Sequence, residues 1–168
     1  MKKILYCDVD STINNHWERI KKWALPSFPG HEIHPNAFTR EEIMKDIPID
    51  GAVDSLNLLS NTYEIHYLTA RNFSDAFDIT KDWLEKYEFP IDSINVVARS
   101  SDKPEFLKDK KCDVLIDDFS AGQEHGPSFV NLYHNTIQKL DEYQIPYIIF
   151  KGFWSEVLYL LNVKGVIE

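Results

Sequence analysis

The chain has 168 residues, 43% apolar and 13% aromatic, enough to bury the core of one domain with a small insertion and unlike a disordered sequence. A formal charge of −9 argues against a general nucleic-acid binder, which needs clustered Lys and Arg, and no stretch approaches the roughly 20 apolar residues of a membrane span. Two cysteines, Cys7 and Cys112, are too few for a disulfide framework, and the apolar run of MKKILYC stops at Asp8, too soon for a secretory leader, so a cytoplasmic protein with no membrane and no stable nucleic-acid partner is expected.

Lys3 to Asp8 reads as a short buried strand. Asn14 to Leu25 sets Trp17, Ile20 and Ala24 among charges, which predicts a helix. Pro26 to Pro35, PSFPGHEIHP, is a predicted loop by its prolines and Gly30. Thr39 with Glu42 three residues on reads as a capping box for a short helix through Lys45. Gly51 to Ser60 is a predicted helix with Val53, Leu56 and Leu59 on one face. Tyr63 to Leu68 is a strand, and Ser74 caps a helix running to Tyr87. Ile94 to Ala98 and Asp113 to Ile116 are strands, the latter running into Asp117 and Asp118. Phe129, Leu132, Tyr133, Ile137 and Leu140 recur at helical spacing. Pro146 to Phe150 is a fifth strand, and Trp154 to Leu161 a closing helix. Strands alternating with helices predict an α/β, Rossmann-like doubly wound fold on a parallel five-stranded sheet. Residues 1–13 and 47–168 form its core, and 14–46 a small helical cap inserted after the first strand.

In an open parallel sheet, ligands gather at the carboxyl ends of the strands. Asp8-Val9-Asp10 follows the first strand, with Ser11 and Thr12 behind it. Thr69 ends the second, in YLTAR, followed by Ala70 and Arg71. Lys103 follows the third, in SSDKP, and Asp117 and Asp118 end the fourth, in VLIDD. Singly, each has an ordinary explanation as a cap, a strand former or a solvated charge. Together, four acids on one edge repel, and their pKa values rise unless a cation sits among them. Oxygen-only ligands suit Mg²⁺, which takes one or two carboxylates with waters and a substrate phosphate. Asp8 and Asp10 face opposite sides if the strand continues, and one centre if the chain turns after Val9.

The order DxD-[ST]-T, strand-end Thr, Lys, DD resembles the haloacid dehalogenase superfamily of phosphotransferases. IPIDGAVDSLNLLSN, WLEKYEFP, SSDKP and CDVLIDDFSAG are similar to the 5'(3')-deoxyribonucleotidases within it, over most of the chain from Ile47 to Gly122. Ser11 stands where a Gly is common, and the stretch between Asn14 and Asp46 is shorter than in the animal enzymes. The resemblance implies a Mg²⁺-dependent phosphomonoester hydrolase that forms an aspartyl-phosphate and acts on (deoxy)nucleoside monophosphates. It implies Asp8 as nucleophile and Asp10 as general acid/base, which crowding is expected to keep protonated. Thr69, Ala70 and Lys103 would bind phosphate. Asp8, Asp10, Asp117 and Asp118 would form the metal site, Asp118 directly and Asp117 through a water.

Trp17, Trp23, Phe28 and Phe38 either pack the cap or meet what lies beyond the phosphate. Trp17, nearest the DxD loop, is the expected contact to a base. Arg71 is either a substrate ligand or a member of an ion pair. Another small phosphorylated metabolite and a polynucleotide phosphate end are alternative substrates. A non-catalytic Mg²⁺-binding protein and a phospho-receiver module are alternative classes, although a receiver carries its acid pair first and its phosphorylated Asp on the third strand. His31 and His34, in HEIH, lack a third ligand at metalloprotease spacing. His16, beside the DxD loop, is expected to pack at the surface or the cap, with a contact to substrate as the alternative; Cys7 is expected in the core, and Gly122 and Gly126 in loops.

Overall fold

The computed structural model describes residues 1–26, 31–119 and 133–163. The apolar run KILYC forms β1 (Lys3–Cys7), followed by α1 (His16–Ile20) and a 3₁₀ turn over Lys21–Trp23. β2 (Ala24–Pro26) and β3 (His31–Ile33) come next, then a 3₁₀ turn over Pro35–Phe38 and α2 (Arg40–Ile43). α3 (Ala52–Leu59), β4 (Tyr63–Ala70), α4 (Ala76–Lys86) and β5 (Ser93–Val97) follow. α5 (Lys103–Leu107), β6 (Val114–Asp117), α6 (His134–Glu142), β7 (Tyr147–Ile149) and α7 (Trp154–Leu160) complete the described chain.

β1 lies at the centre of a five-stranded sheet of order β5-β4-β1-β6-β7, all parallel. Period-two alternation assigns its faces. Leu5, Cys7, Ile65, Tyr67 and Ile116 pack on one side against Leu56 of α3, Trp83 of α4 and Trp154 of α7. Tyr6, Leu68 and Leu115 pack on the other against Leu107 of α5 and Leu140 of α6. Helices therefore cover both faces, as the alternation of elements predicts. The chain first builds outward from β1 through β4 to β5, then returns to β6 on the other side. The switch point lies between the ends of β1 and β6, where such sheets open a crevice.

The segment between β1 and α3 is less helical than its sequence suggests. The helix expected over Asn14–Leu25 stops at Ile20, and the proline-rich stretch contributes a strand. Ala24 pairs with Ile33 and Pro26 with His31 in an antiparallel ribbon, which His34 N extends by donating to Trp23 O at 3.0 Å. A two-stranded ribbon has only edges, so Pro26 costs it no ladder bond a central strand would need. Thr39 caps α2 as predicted, its Oγ1 accepting from Glu42 N at 3.3 Å. Ser74 does not cap α4; Asp75, at φ +61, holds that position. Phe28, Gly122, Gly126, Phe129 and Leu132 lie outside the described residues.

Two indoles tie the parts together. Trp83 Nε1 donates to the carbonyl of Asp46 at 2.9 Å, joining α4 to the end of the inserted segment. Trp154 Nε1 donates to the carbonyl of Thr12 at 3.0 Å, joining α7 to the loop after β1. Both cysteines are free thiols, and Cys7 is fully buried. Among the described residues no helix is long and apolar enough to cross a membrane.

Candidate active site

β1 stops at Cys7, and Asp8 N makes a last ladder bond to Ile116 O at 2.9 Å. The chain then turns, with Thr12 N and Ile13 N both donating to Val9 O. Ser11 takes φ +66, the left-handed region, and its N donates to Asn14 Oδ1 at 2.9 Å. A glycine adopts that backbone without strain. The turn brings Asp8 and Asp10 to one cavity of about 860 Å³, which Arg71, Lys103, Asp117 and Asp118 also line.

Lys103 organises the acids of the switch point. Its Nζ lies 2.9 Å from Asp8 Oδ1 and 2.6 Å from Asp117 Oδ2, and all three side chains are buried. Asp117 Oδ1 accepts from Phe119 N at 2.9 Å. Thr12 Oγ1 donates to Asp8 Oδ2 at 3.1 Å, lies 3.4 Å from Asp118 Oδ1, and accepts from Asp118 N at 3.2 Å. Burial first, then the charge of Asp117, push the Asp8 carboxyl up to about 7, against the opposing pull of Lys103. Burial works against the Lys103 ammonium, but Asp117 and Asp8 outweigh it and hold its pKa above the ordinary lysine value.

The three carboxylates fit a hard cation. Asp8, Asp117 and Asp118 each offer an oxygen, all within 4.8 Å of one another. One ammonium leaves this acid set two negative charges in excess. The Asp10 carboxylate, expected among the ligands, groups with His16 and Asp46, whose ligand atoms lie within 4.8 Å of it and of each other. It also meets Arg71, from Nε at 3.1 Å and Nη2 at 2.8 Å, and Asn14 Nδ2 at 3.0 Å. Asp10 is not kept protonated by crowding. Burial alone would raise its pKa, but Arg71, His16 and the bonds from Arg71 and Asn14 hold it well below the usual carboxylate range.

The other expected residues divide. Ala70 and Arg71 line the cavity; Thr69 does not. Thr69 is fully buried at the end of β4, its Oγ1 without a hydrogen-bond partner. Of the alternatives for Arg71, the ion pair is realised, and Thr80 Oγ1 takes its Nη1 at 2.8 Å. Trp17 is half-buried and not among the lining residues. Phe38 lines the cavity, stacked on Phe73 with centroids 5.7 Å apart and planes at 15°. His16, expected to pack at the surface or the cap, is also in the lining, as is Phe73, which escaped the sequence reading. The one available signal for Phe73 was its place two residues after Arg71, at the carboxyl end of β4.

No protein-family model and no curated protein matches this sequence. Solved structures do share its backbone. A haloacid dehalogenase-like family hydrolase from Streptococcus pneumoniae superposes with a TM-score of 0.58 at 16% identity, over 95% of this chain and 98% of that one. Two structures of a Pnkp1/Rnl/Hen1 complex, one described as an RNA repair complex, superpose with TM-scores of 0.54 and 0.55 at 15% and 17% identity. Each match covers 89% of this chain but 42% and 46% of the other, so this chain spans less than half the length of those neighbours. At such identities the likeness speaks for the backbone alone, and the backbone is that of the haloacid dehalogenase-like fold.

Proposed function

We propose that the protein is a Mg²⁺-dependent phosphomonoester hydrolase with Asp8 as its nucleophile. The observation that carries this reading is the bridge of Lys103 between Asp8 and Asp117 at the switch point, with Asp118 and Thr12 beside it. A buried ammonium between acids is poised to share its charge with phosphate oxygens. Asp8, Asp117 and Asp118 would hold Mg²⁺, which supplies charge neutralisation to the phosphoryl oxygens when bound. Of the acid pair, Asp118 would be the direct ligand, as the resemblance implies, and Asp117, whose oxygens meet Lys103 and Phe119 N, would reach the ion through a water.

In the first step an Asp8 oxygen forms a bond to phosphorus as the bond to the leaving alkoxide breaks. Asp10 gives that alkoxide a proton. In the second step water attacks phosphorus, Asp10 takes the proton, and the Asp8 carboxylate leaves with its electron pair. The backbone around Ala70, at the cavity, is suited to phosphate oxygens. Asp10 stands ionised in its pair with Arg71, so its acid role requires that pair to loosen and Asp10 to take up a proton from solvent as substrate enters.

Nucleoside monophosphates are the favoured substrates, since the stacked rings of Phe38 and Phe73 offer a flat apolar wall. A polynucleotide phosphate end is the second reading, supported by the fold shared with a protein of an RNA repair complex. The test is phosphate release with Mg²⁺ from nucleoside monophosphates, ribose 5-phosphate and 3'- or 5'-phosphorylated oligonucleotides. Release that disappears with EDTA and in Asp8→Asn supports the proposal. Release unaffected by Asp8→Asn, with deamidation excluded, would remove Asp8 from the chemistry.

A further inference from the structure

Two unlike sets of residues line the cavity around the acids. The inserted segment and the loop after β4 supply the stacked rings of Phe38 and Phe73. The turn after β5 supplies Arg99, Ser100 and Ser101, and the first turn of α6, which packs beside it, supplies the exposed Asn135. The first set suits a flat apolar group and the second a polar one.

Among the described residues, the lysine and arginine side chains of the lining are Arg71, Arg99 and Lys103, and two of them are committed. Lys103 bridges Asp8 and Asp117, and Arg71 holds Asp10 and Thr80; both are buried. The Arg99 side chain is 77% exposed, and its Nη2 stands 3.6 Å from Asp102 Oδ1, beyond hydrogen-bond distance. The backbone beneath it is fixed all the same. Arg99 N donates to Asp102 Oδ2 at 3.1 Å, and Asp102 N donates back to the Arg99 carbonyl at 3.0 Å. The guanidinium thus stands on an anchored turn with its donors left for an outside acceptor, and its planar fork fits the oxygens of a phosphate.

Position decides which phosphate. Lys103 opens α5 directly after the same turn and meets the nucleophile, so the cleaved group belongs to Lys103. Arg99 stands outside it, at the solvent side of the lining. A chain of net charge −9 repels a substrate with several negative charges unless a local cation offsets the field. A nucleoside monophosphate is served by Lys103 and a bound cation alone and leaves Arg99 without a partner.

We infer that Arg99 is a specificity-determining residue that binds a second phosphate group of the substrate, one that is not cleaved. The inference rests on the phosphatase reading above. That group is the other ester of a nucleoside 3',5'-bisphosphate or the internucleotide diester beside a phosphorylated end; both present anionic oxygens to the same guanidinium. The bland account is that Arg99 is a solvated surface charge that draws in every phosphate alike.

The readout is a ratio: kcat/KM on a substrate with two phosphate groups over kcat/KM on the matching monophosphate, in Mg²⁺. Adenosine 3',5'-bisphosphate, and adenylyl dinucleotides phosphorylated at the 3' or the 5' end, are set against adenosine 3'- and 5'-monophosphate. Wild type is compared with Arg99→Gln and Arg99→Lys, their folding checked by melting. A hydrogen bond to a charged group is worth about 10-fold or more, so the wild-type ratio should reach about 10 and fall about 10-fold in Arg99→Gln. Arg99→Lys keeps the charge without the fork and should recover part of it. Raising salt from about 50 to about 500 mM should lower the wild-type ratio and leave that of Arg99→Gln unmoved, because the contact is exposed. A high ratio for the bisphosphate alone identifies a free nucleotide, and for the dinucleotides alone a polynucleotide end; both support Arg99. No preference in wild type, or a preference that survives Arg99→Gln because both substrate classes lose alike, overturns the inference and leaves the phosphatase reading standing. A wild type inert to every one of these esters overturns the phosphatase reading, and this inference with it.

Discussion

Arg71 grips both oxygens of Asp10, through Nε at 3.1 Å and Nη2 at 2.8 Å, with Thr80 behind it. Removing one partner of a buried pair strands the other charge and typically costs about 3–5 kcal/mol. Arg71→Met should therefore melt on the order of 10 °C below wild type at pH 8, at about 2–4 °C per kcal/mol for a domain of this size. The loss should shrink toward pH 5, where the abandoned Asp10 takes a proton. In wild type the depressed Asp10 pKa contributes stability above the unfolded value, and this is lost only as pH falls through the lower folded value. Thermal melts of both proteins across that range check the prediction; an equal deficit at pH 5 and pH 8 would contradict it.

Asp8 behaves in the opposite sense. Its folded pKa of about 7 lies above an unfolded value of about 3.9, so the folded state binds the extra proton between the two. In EDTA, this group should make stability decline as pH rises through that window. Mg²⁺ should reverse the decline at pH 7.5, by about 2.7 kcal/mol at 100-fold above its Kd. Asp118→Ala should show a much smaller Mg²⁺ shift. An undiminished shift would place the ion elsewhere.

The same crowding links stability to activity. Asp8→Asn keeps the shape of the side chain and removes a charge that faces Asp117. Turnover should vanish, while the metal-free melting temperature above pH 7 should exceed that of wild type. Calorimetry in EDTA checks this, and a lower melting temperature would show that the bond from Lys103 outweighs the repulsion.

Ser11, at φ +66, carries strain that glycine would not. The left-handed conformation costs an L-residue about 1–2 kcal/mol, and glycine gives back about 0.5–1 kcal/mol through its unfolded freedom. Ser11→Gly should be neutral to slightly stabilising, and Ser11→Val destabilising by more than about 1 kcal/mol. Urea midpoints at equal slope would order the three proteins.

If nucleotides are the substrates, the stacked pair beside the cavity should govern them. Phe73→Ala should lose about 10-fold in kcat/KM on nucleoside monophosphates and little on glycerol phosphate, since stacking is worth about 1–3 kcal/mol per base. Trp17→Ala should change neither. The reverse pattern would return the base contact to Trp17.

Most of the sheet was legible because its information is local. An apolar run that breaks at an acid marks a strand tip, and VLIDD, YLTAR and YCDVD all broke within two residues of where the strands end. The short ribbon β2–β3 was not legible, since three-residue strands show no period and Pro26 argued for a loop. The partner of Asp10 was hidden for another reason. Asp10 and Arg71 are 61 positions apart, and only the β1–β4 register brings them together. The same register separates Thr69, facing the interior, from Ala70 at the cavity. Trp17 was favoured for nearness along the chain, whereas Phe38 comes from the inserted segment and Phe73 from the loop after β4.

The bond from Trp154 to the Thr12 carbonyl has a consequence for biosynthesis. It spans 142 positions, and β1 must also await β6 before its second edge is paired. Contacts this distant form late, because loop closure precedes any gain from them. The DxD turn is synthesised well before α7 yet receives its indole prop only after α7 has been made. A nascent chain halted before Trp154 would hold β1 and its aspartates without the contact that braces their turn.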